Sequence, residues 1–477
     1  MKRHRPKDPK GRRHLINVTI RRLAAFLSFD FFIASIVAAA VYGESASDVW
    51  QAWIRILTSP SPLVTDYFRL GSLSAALFNA AMCGGACALM MALLRGGLYR
   101  PSVWAGYFLV VAHCFYGLNF INMWPPIIGF GICCKLNGLL LRDNLDRAMF
   151  ITSFAPFFSE LLFRYPMPYD VHWVILGLDL HPLSILAVLL LSIFVGLALP
   201  PMLPGTDKLH RGYNLYNGGL ATGLLGLLIY AFLFKTLGVV PQGPLEVENP
   251  AYDAVGQSYM LFGTAFFILV SGACILYGWF LNGKSFRGYR KLLADSGYRA
   301  NFLHDYGEGL VWINLGLYCL MMLAYFDVVI LLTDGAGFTG ATFGIILAAM
   351  TFAAGGQHPL NVWPILVGYA LVSAVVTAES LLMGQPIPWT LSTQGYMNGL
   401  AFATGLCPFS GKFGWKVGVA AGALSAVLCT TTSAMHGGFI LYNGGLTAGI
   451  SALILLPMLD TYLTHTEKWG QDDRDTL

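Results

Sequence analysis

The chain contains one short phrase twice. Residues 117–129 read G-L-N-F-I-N-M-W-P-P-I-I-G and residues 356–368 read G-Q-H-P-L-N-V-W-P-I-L-V-G, so Gly, Asn, Trp, Pro and Gly recur at the same spacing. A second phrase, which ends in Y-N-G-G-L, begins at His210 and again at His436. Because tryptophan accounts for only 11 of 477 residues, chance explains the first match poorly. Internal duplication in an apolar chain is typical of transporters and channels.

Composition places the chain in a membrane. It is 56% hydrophobic and 11% charged, with a mean hydropathy of +0.62, whereas a soluble domain carries about 25% charged residues. We predict an all-α polytopic membrane protein in which about fourteen apolar stretches cross a hydrocarbon core of about 30 Å. The predicted spans are 22–43, 71–94, 101–118, 124–141, 148–163, 180–200, 212–234, 258–281, 309–332, 339–355, 361–381, 390–407, 414–431 and 437–459. For spans 124–141 and 148–163, the sequence leaves open whether each is a full helix or a half-helix.

The basic residues predict the orientation. If the N-terminus is cytoplasmic, all 29 Lys and Arg residues fall on the cytoplasmic side except Arg55, Arg69, Arg164 and Lys235. This distribution obeys the positive-inside rule, and we expect a multi-pass protein of the cell inner membrane with both termini in the cytoplasm. The basic start of the chain favours contact with anionic lipid and argues against a nucleic-acid partner.

The two copies of each phrase predict an inverted repeat. Equivalent phrases lie an odd number of spans apart, so the two halves must point in opposite directions across the bilayer. The prediction is two six-helix inverted-topology repeats, plus an N-terminal anchor helix and a connecting helix. Its parts are a basic cytoplasmic N-terminus (1–21), the anchor (22–43), repeat 1 (71–234), the connecting helix (258–281), a basic cytoplasmic linker (282–307), repeat 2 (309–459) and a cytoplasmic tail (460–477).

The phrase Asn-x-Trp-Pro allows two interpretations. Proline suits the first turn of a helix, asparagine can cap free backbone groups, and tryptophan favours the membrane interface. Alternatively, the segment dips into the protein and its amides bind a solute. The residues concerned are Asn122, Trp124 and Pro125 in the first copy and Asn361, Trp363 and Pro364 in the second.

The phrase Tyr-Asn-Gly-Gly places an amide inside an apolar span. Its glycines continue in the small-x-x-x-small spacing of close helix packing, but an unpaired amide in hydrocarbon costs a few kcal/mol. The asparagines must therefore face protein or water, which makes them candidates for a pore lining. The two copies contribute His210, Tyr216 and Asn217, and His436, Tyr442 and Asn443, with the histidines as surface caps or proton relays.

A third phrase, Thr-x-x-x-Pro-Phe, interrupts an apolar span with proline. The proline either kinks the helix or breaks it so that freed backbone groups face a solute path, with the phenylalanines as apolar constrictions. The two copies are Thr152, Pro156 and Phe157, and Thr404, Pro408 and Phe409. Glu160 follows the first copy within the membrane, where charge tends to mark a pathway, although Lys412 stands in its place in the second.

The paired phrases resemble an uncharacterised family of bacterial multi-pass membrane proteins, a domain of unknown function, over nearly the whole chain. Such a resemblance implies no activity. A fainter likeness is to urea transporters, whose two inverted halves use an (F/Y)-N-G-x-L-x-G phrase and a T-x-P-F phrase. Tyr216–Leu220 and Ala155–Phe157 match parts of these in reversed order, so no substrate is carried over.

The sequence therefore favours a transporter or channel that moves a small polar solute between the repeats. No catalytic motif is found, and we expect neither a cofactor nor a metal. One alternative is a membrane-embedded enzyme acting on lipid or envelope precursors through Asp170, His172, Asp179 and His181 on the outer face, and another is a membrane scaffold. The expected partners are the lipid bilayer and the solute, and the oligomeric state, a homo-oligomer included, stays open.

Overall fold

The structure is a computed structural model that describes residues 9–94, 101–175, 177–245, 247–255 and 258–463. The prediction of an all-helical membrane protein is confirmed. The helices are α1 (Pro9–Tyr42), α2 (Ala46–Leu57), α3 (Tyr67–Leu70), α4 (Leu73–Leu93), α5 (Pro101–His113), α6 (Trp124–Leu136), α7 (Leu145–Phe150), α8 (Ala155–Phe163), α9 (Pro182–His210), α10 (Asn217–Tyr230), α11 (Pro250–Val255), α12 (Ser258–Leu281), α13 (Tyr289–Leu292), α14 (Phe302–Asp305), α15 (Glu308–Leu332), α16 (Gly340–Ala349), α17 (Pro359–Met383), α18 (Gln394–Ala403), α19 (Cys407–Phe413), α20 (Trp415–Met435) and α21 (Asn443–Leu463).

Among the described residues, nine helices are long and apolar enough to cross a membrane: α1, α4, α9, α10 with the π-helical turn Ala231–Thr236, α12, α15, α17, α20 and α21. They match nine of the predicted spans. The other five predicted spans are shorter or broken. Helices α5 and α6 have 13 residues each, a rise of about 20 Å, and α16 continues for one 3₁₀ turn to Phe352.

The two broken spans share one construction. Helix α7 passes through a 3₁₀ turn at Ile151–Phe154 into α8, and α18 passes through a 3₁₀ turn at Thr404–Leu406 into α19. In both cases the proline lies in the first turn of the new helix, where its missing N–H leaves no donor unpaired. The span predicted at 148–163 is therefore a broken helix that begins slightly earlier, at Leu145.

Equivalent helices pack in equivalent pairs in the two halves. Helix α1 packs along α4 and α6 along α9, as α12 packs along α15 and α17 along α20. Glycines allow the α6–α9 and α17–α20 backbones to touch: a Cβ on Gly129 would lie 2.2 Å from the Ser192 carbonyl oxygen, and one on Gly368 would lie 2.4 Å from that of Val419. The helices predicted as an anchor (α1) and a connector (α12) thus occupy matching positions.

Helices α10 and α21 run antiparallel and begin beside each other. A Cβ on Gly219 would lie 2.5 Å from the Gly445 Cα atom. The segment that precedes each helix runs along the other one: Gly437 contacts Tyr230 near the end of α10, and Arg211 pairs with Asp460 near the end of α21, at 2.9 Å between Nη2 and Oδ2. Helices α10 and α21, which follow the two copies of the same phrase, therefore run in opposite directions.

The connection between α8 and α9 differs from its counterpart in the second half. Between α8 and α9 the chain forms a two-stranded antiparallel hairpin of β1 (Trp173–Ile175) and β2 (Leu178–Leu180), with Trp173 opposite Leu180. Between α19 and α20 the second half has only Gly414. The hairpin was not predicted from the sequence.

Candidate functional site

The two Asn-x-Trp-Pro phrases fold into the same turn. Asn122 Oδ1 accepts the Asn119 N–H (2.7 Å) and its Nδ2 donates to the Gly117 carbonyl (3.0 Å). In the second half Asn361 Oδ1 accepts the His358 N–H (3.0 Å) and its Nδ2 donates to the Gly356 carbonyl (2.8 Å). Both asparagines are buried. Through these hydrogen bonds, the two amides stabilise the non-helical backbone that comes before α6 and before α17.

The other residues of this phrase lie at the edge of the turn. Pro125 and Trp124 form the first turn of α6, and Trp124 is partly exposed against Phe120. Trp363 is 38% exposed and stacks on Trp415 at 6.3 Å between ring centroids, whereas the neighbouring Pro364 lies inside α17. The tryptophans face outward and the asparagines face inward.

A second pair of asparagines, which sequence reasoning missed, anchors the same turns. Asn79 Nδ2 donates to the carbonyls of Cys114 (2.8 Å) and Leu118 (2.9 Å). Asn314 Nδ2 donates to the carbonyls of Ala353 (2.8 Å) and Gln357 (2.8 Å). Both side chains are fully buried in α4 and α15. The sequence signal for both residues is an amide in the middle of an apolar run, where an unpaired amide is costly.

We expect Asn79→Leu to lower the free energy of unfolding by about 2–5 kcal/mol, because it removes two hydrogen bonds and leaves two buried carbonyls unpaired. Thermal unfolding of the purified protein in detergent measures the change. Asn137→Leu is the matched control, since Asn137 is exposed and its amide bonds only the Cys133 carbonyl of its own helix. An equal response of the two variants would contradict the anchoring role.

The broken helix of each half contacts the loop of the other half. Leu441 N–H donates to the Ser153 carbonyl (3.0 Å), and Leu215 N–H donates to the Gly405 carbonyl (3.0 Å). Each of these carbonyls lies within a 3₁₀ turn, where the helical pattern is interrupted. The phrases that repeat within the sequence therefore meet across the two halves.

These contacts define two assemblies of the same construction. Junction 1 is formed by the turn 114–123, the break 151–157 and the loop 436–442; junction 2 is formed by the turn 353–358, the break 404–409 and the loop 210–216. At the edge of junction 1, His113 at the end of α5 has its Nε2 atom 3.0 Å from the Leu441 carbonyl oxygen. In junction 2 Gln357 Nε2 donates to Thr404 Oγ1 at 2.7 Å.

The tyrosines of the Tyr-Asn-Gly-Gly phrases are the last residues of the two junction loops, and both are buried. The Tyr442 hydroxyl lies 3.5 Å from Thr152 Oγ1 and donates to the Met149 carbonyl at 3.3 Å. The Tyr216 hydroxyl donates to the Ala348 carbonyl at 2.5 Å. Each tyrosine directly precedes the first residue of α10 or α21.

The following asparagines are held by the histidines. His210 Nε2 lies 2.9 Å from Asn217 Oδ1, and His436 Nε2 lies 2.9 Å from Asn443 Oδ1. The predicted histidine and asparagine pairs are thus bonded to each other in both halves. Both histidines are fully buried.

Each junction carries a pair of aromatic rings. Phe157 stacks on Phe439 with centroids 5.0 Å apart and planes at 21°. Phe409 packs on Tyr213 with centroids 5.0 Å apart and planes at 31°. All four side chains are buried. In each pair one ring comes from the broken helix of one half and the other from the loop of the other half.

Charges flank the junctions with opposite sign in the two halves. Glu160 is buried and pairs with Arg164 at 2.7 Å between Oε2 and Nη2. Lys412, at the equivalent position, lies 4.0 Å from the centroid of the Tyr298 ring and donates to the Tyr213 hydroxyl at 3.2 Å. Within the described part of the chain, no group of three or more His, Cys, Asp or Glu side chains is arranged to hold a metal ion.

Comparison with known proteins identifies a family but no characterised relative. A family model described as a protein of unknown function (DUF1576) matches residues 45–235 and again residues 281–461. Both matches begin before the predicted repeats and include α2 and α3 in the first half and α13 and α14 in the second. No curated protein and no solved structure matches the chain. The prediction of two internal repeats in an uncharacterised family is confirmed, and the chain belongs to the DUF1576 family.

Proposed function

We propose that this protein is a transporter or channel of the cell inner membrane, and that a small polar solute passes between two inverted repeats. One observation carries the proposal: the three repeated phrases assemble twice, and each junction combines the turn and broken helix of one half with the loop of the other. A path between the halves has these two junctions as its ends.

The antiparallel course of α10 and α21 supports the inverted relationship. Equivalent helices that touch at Gly219 and Gly445 and then run in opposite directions are related by a twofold axis perpendicular to both helices. For helices that cross a bilayer, such an axis lies in the membrane plane. Transporters with inverted repeats of this kind place the solute near the midplane, at helices that begin or end within the membrane.

The chemistry of the junctions favours a polar solute without a full charge. The N–H groups of Gly219 and Gly445, in the first turns of α10 and α21, bond to the carbonyls of Tyr216 and Tyr442, so the positive ends of the two helix dipoles lie next to these tyrosines. Thr152, Thr404 and Gln357 add hydroxyl and amide groups. The hydrogens of these groups already bond within the protein, but the hydroxyl oxygens of Thr152 and Thr404 can also accept, which suits a polar solute that carries an N–H or O–H donor.

Flux through liposomes that contain the purified protein tests the proposal. We expect at least one solute from a panel of small amides, polyols, amino acids and inorganic ions to cross faster than it crosses empty liposomes. We expect Thr152→Val with Thr404→Val to reduce that flux about tenfold or more, because each change removes a hydrogen-bonding hydroxyl worth about 1 kcal/mol. Ser451→Ala removes a buried hydroxyl bonded only within α21 and serves as the control.

Folded protein that moves no member of the panel would contradict the proposal. Equal flux in the threonine double variant and in Ser451→Ala would place the path elsewhere. Circular dichroism and size-exclusion chromatography of each variant separate a loss of transport from a loss of fold.

A further inference from the structure

The connection that only the first half possesses lies beside two cavities. One, of about 610 Å³, is lined by apolar side chains of α8, α9 and α10 and by Tyr165 and Met167. The other, of about 630 Å³, lies around the hairpin and is lined by polar groups as well. Tyr165 and Met167 line both cavities, so the two adjoin; together they are called the crevice, with an apolar end and a polar end.

The apolar end lies in the surface that faces lipid. Leu190 of α9 lines it and is 59% exposed, as is Phe232 at 55% on the π-helical turn. The volume lies within the range of about 300–1,000 Å³ that small-molecule pockets occupy. A hydrocarbon chain fits such a groove because both surfaces are apolar.

The polar end contains a hydrogen-bond donor that lacks a partner. His181 is 8% exposed, and its Nδ1 accepts the Leu183 N–H at 3.1 Å as the cap of α9. The hydrogen of the neutral ring is therefore on Nε2, and among the described residues no acceptor reaches this atom. Since buried donors are almost always paired, the position calls for an acceptor from a ligand.

Two carboxylates line the same end of the crevice. Asp170 and Asp179 are exposed and lie 3.2 and 3.3 Å from the two ring nitrogens of His172, whose ring centroid is 6.0 Å from that of His181. The nearby guanidinium group of Arg164 is occupied by Glu160 and by the carbonyls of Gln242 and Gly243. The polar end thus combines the unpaired Nε2–H of His181 with two exposed carboxylates that lie against His172.

We propose that this crevice binds one zwitterionic aminophospholipid, with an acyl chain in the apolar end and the head group at the hairpin. A phosphate oxygen accepts the His181 Nε2–H, and the primary ammonium group donates to Asp170 and Asp179. The carboxylates disfavour a head group with a net negative charge, and a quaternary ammonium group has no N–H to donate to them.

Lipid binding by the full-length protein tests the proposal. Purified protein in detergent receives dioleoyl-phosphatidylethanolamine, -phosphatidylcholine or -phosphatidylglycerol, and native mass spectrometry with thermal unfolding measures binding. We expect the ethanolamine lipid to bind about tenfold tighter than the other two, the equivalent of about 1.4 kcal/mol. Equal binding of all three lipids would show general contact with membrane lipid only and would overturn the proposal.

Matched variants separate the two ends of the crevice. Leu190→Trp fills the apolar end and is expected to abolish tight binding, whereas Leu189→Trp, at a neighbouring leucine that is 48% exposed but outside the crevice, is expected to have no effect. His181→Asn keeps a cap for α9 and removes the Nε2 donor, so it is expected to weaken ethanolamine-lipid binding about tenfold.

Replacing both Asp170 and Asp179 with Asn is expected to abolish the preference for the ethanolamine lipid over the choline lipid. Glu248→Gln removes an exposed carboxylate outside the crevice and is expected to leave the preference unchanged. Unchanged selectivity in the double variant, or equal binding by Leu190→Trp and Leu189→Trp, would overturn the proposal.

Discussion

Removing the aromatic stacks of both junctions together is expected to make the protein leak. In the double variant Phe439→Ala with Tyr213→Ala, solute flux into liposomes should exceed the sum of the two single variants about tenfold or more. The reason is geometric: if the stacked pairs Phe157–Phe439 and Phe409–Tyr213 close opposite ends of one path, a single opening leaves the other end closed. Apolar constrictions of this kind exclude water and solutes from a pore.

A control with the same loss of buried rings distinguishes a leak from loosened packing. Phe31 and Phe266 stack at 5.6 Å between centroids, join α1 to α12 and are both buried. Phe31→Ala with Phe266→Ala should cost several kcal/mol of stability, as large-to-small core changes of about 3–5 kcal/mol each do, without a leak. Two results would contradict the closing role of the junction rings. One is a leak in this control, and the other is a flux in the junction double variant that equals the sum of the fluxes of its two single variants.

Gly219→Ala is expected to lower the free energy of unfolding by about 3 kcal/mol, since overpacking a close contact forces backbones apart. The added Cβ would lie 2.5 Å from the Gly445 Cα, an atom of the opposing backbone that cannot rotate away. Gly445→Ala meets the same obstacle, with its Cβ 2.9 Å from the Gly219 Cα. Thermal unfolding in detergent measures both variants.

Gly85→Ala is the matched control for these substitutions. Gly85 lies inside α4 with nothing within 4 Å of an added Cβ, so alanine should stabilise the helix by about 1 kcal/mol. The same glycine-to-alanine change is therefore expected to lower the free energy of unfolding at Gly219 and to raise it at Gly85. A mild effect at Gly219 would mean that α10 and α21 separate readily.

The sequence predicted the class of fold, and it predicted which segments correspond. Fixed spacing of Trp, Pro and Gly marks equivalent backbone positions, and these positions indeed form equivalent turns and breaks around Asn122 and Asn361. The ends of the short helices could not be predicted well, because hydropathy continues through the non-helical turns after α5 and α16. Buried turns in this protein are as apolar as the helices beside them.

The sequence could not reveal which phrases touch. The bond from Leu441 to Ser153 joins residues of opposite halves, and a repeated pattern gives no information about partners across a symmetry axis. The anchoring role of Asn79 and Asn314 was also hidden, since no common phrase surrounds them. The hairpin at Trp173–Leu180 has no counterpart in the second half, so duplication could not point to it.

The exchange of segments between the halves has a consequence for biogenesis. Junction 1 belongs mainly to the first half of the chain, which is synthesised first, yet the loop 436–442 that completes it belongs to the second half. The N-terminal bundle therefore stays unfinished, with the Ser153 carbonyl lacking the donor that Leu441 supplies, until the second half has been synthesised as far as this loop. Each bundle thus supplies the loop that completes the other.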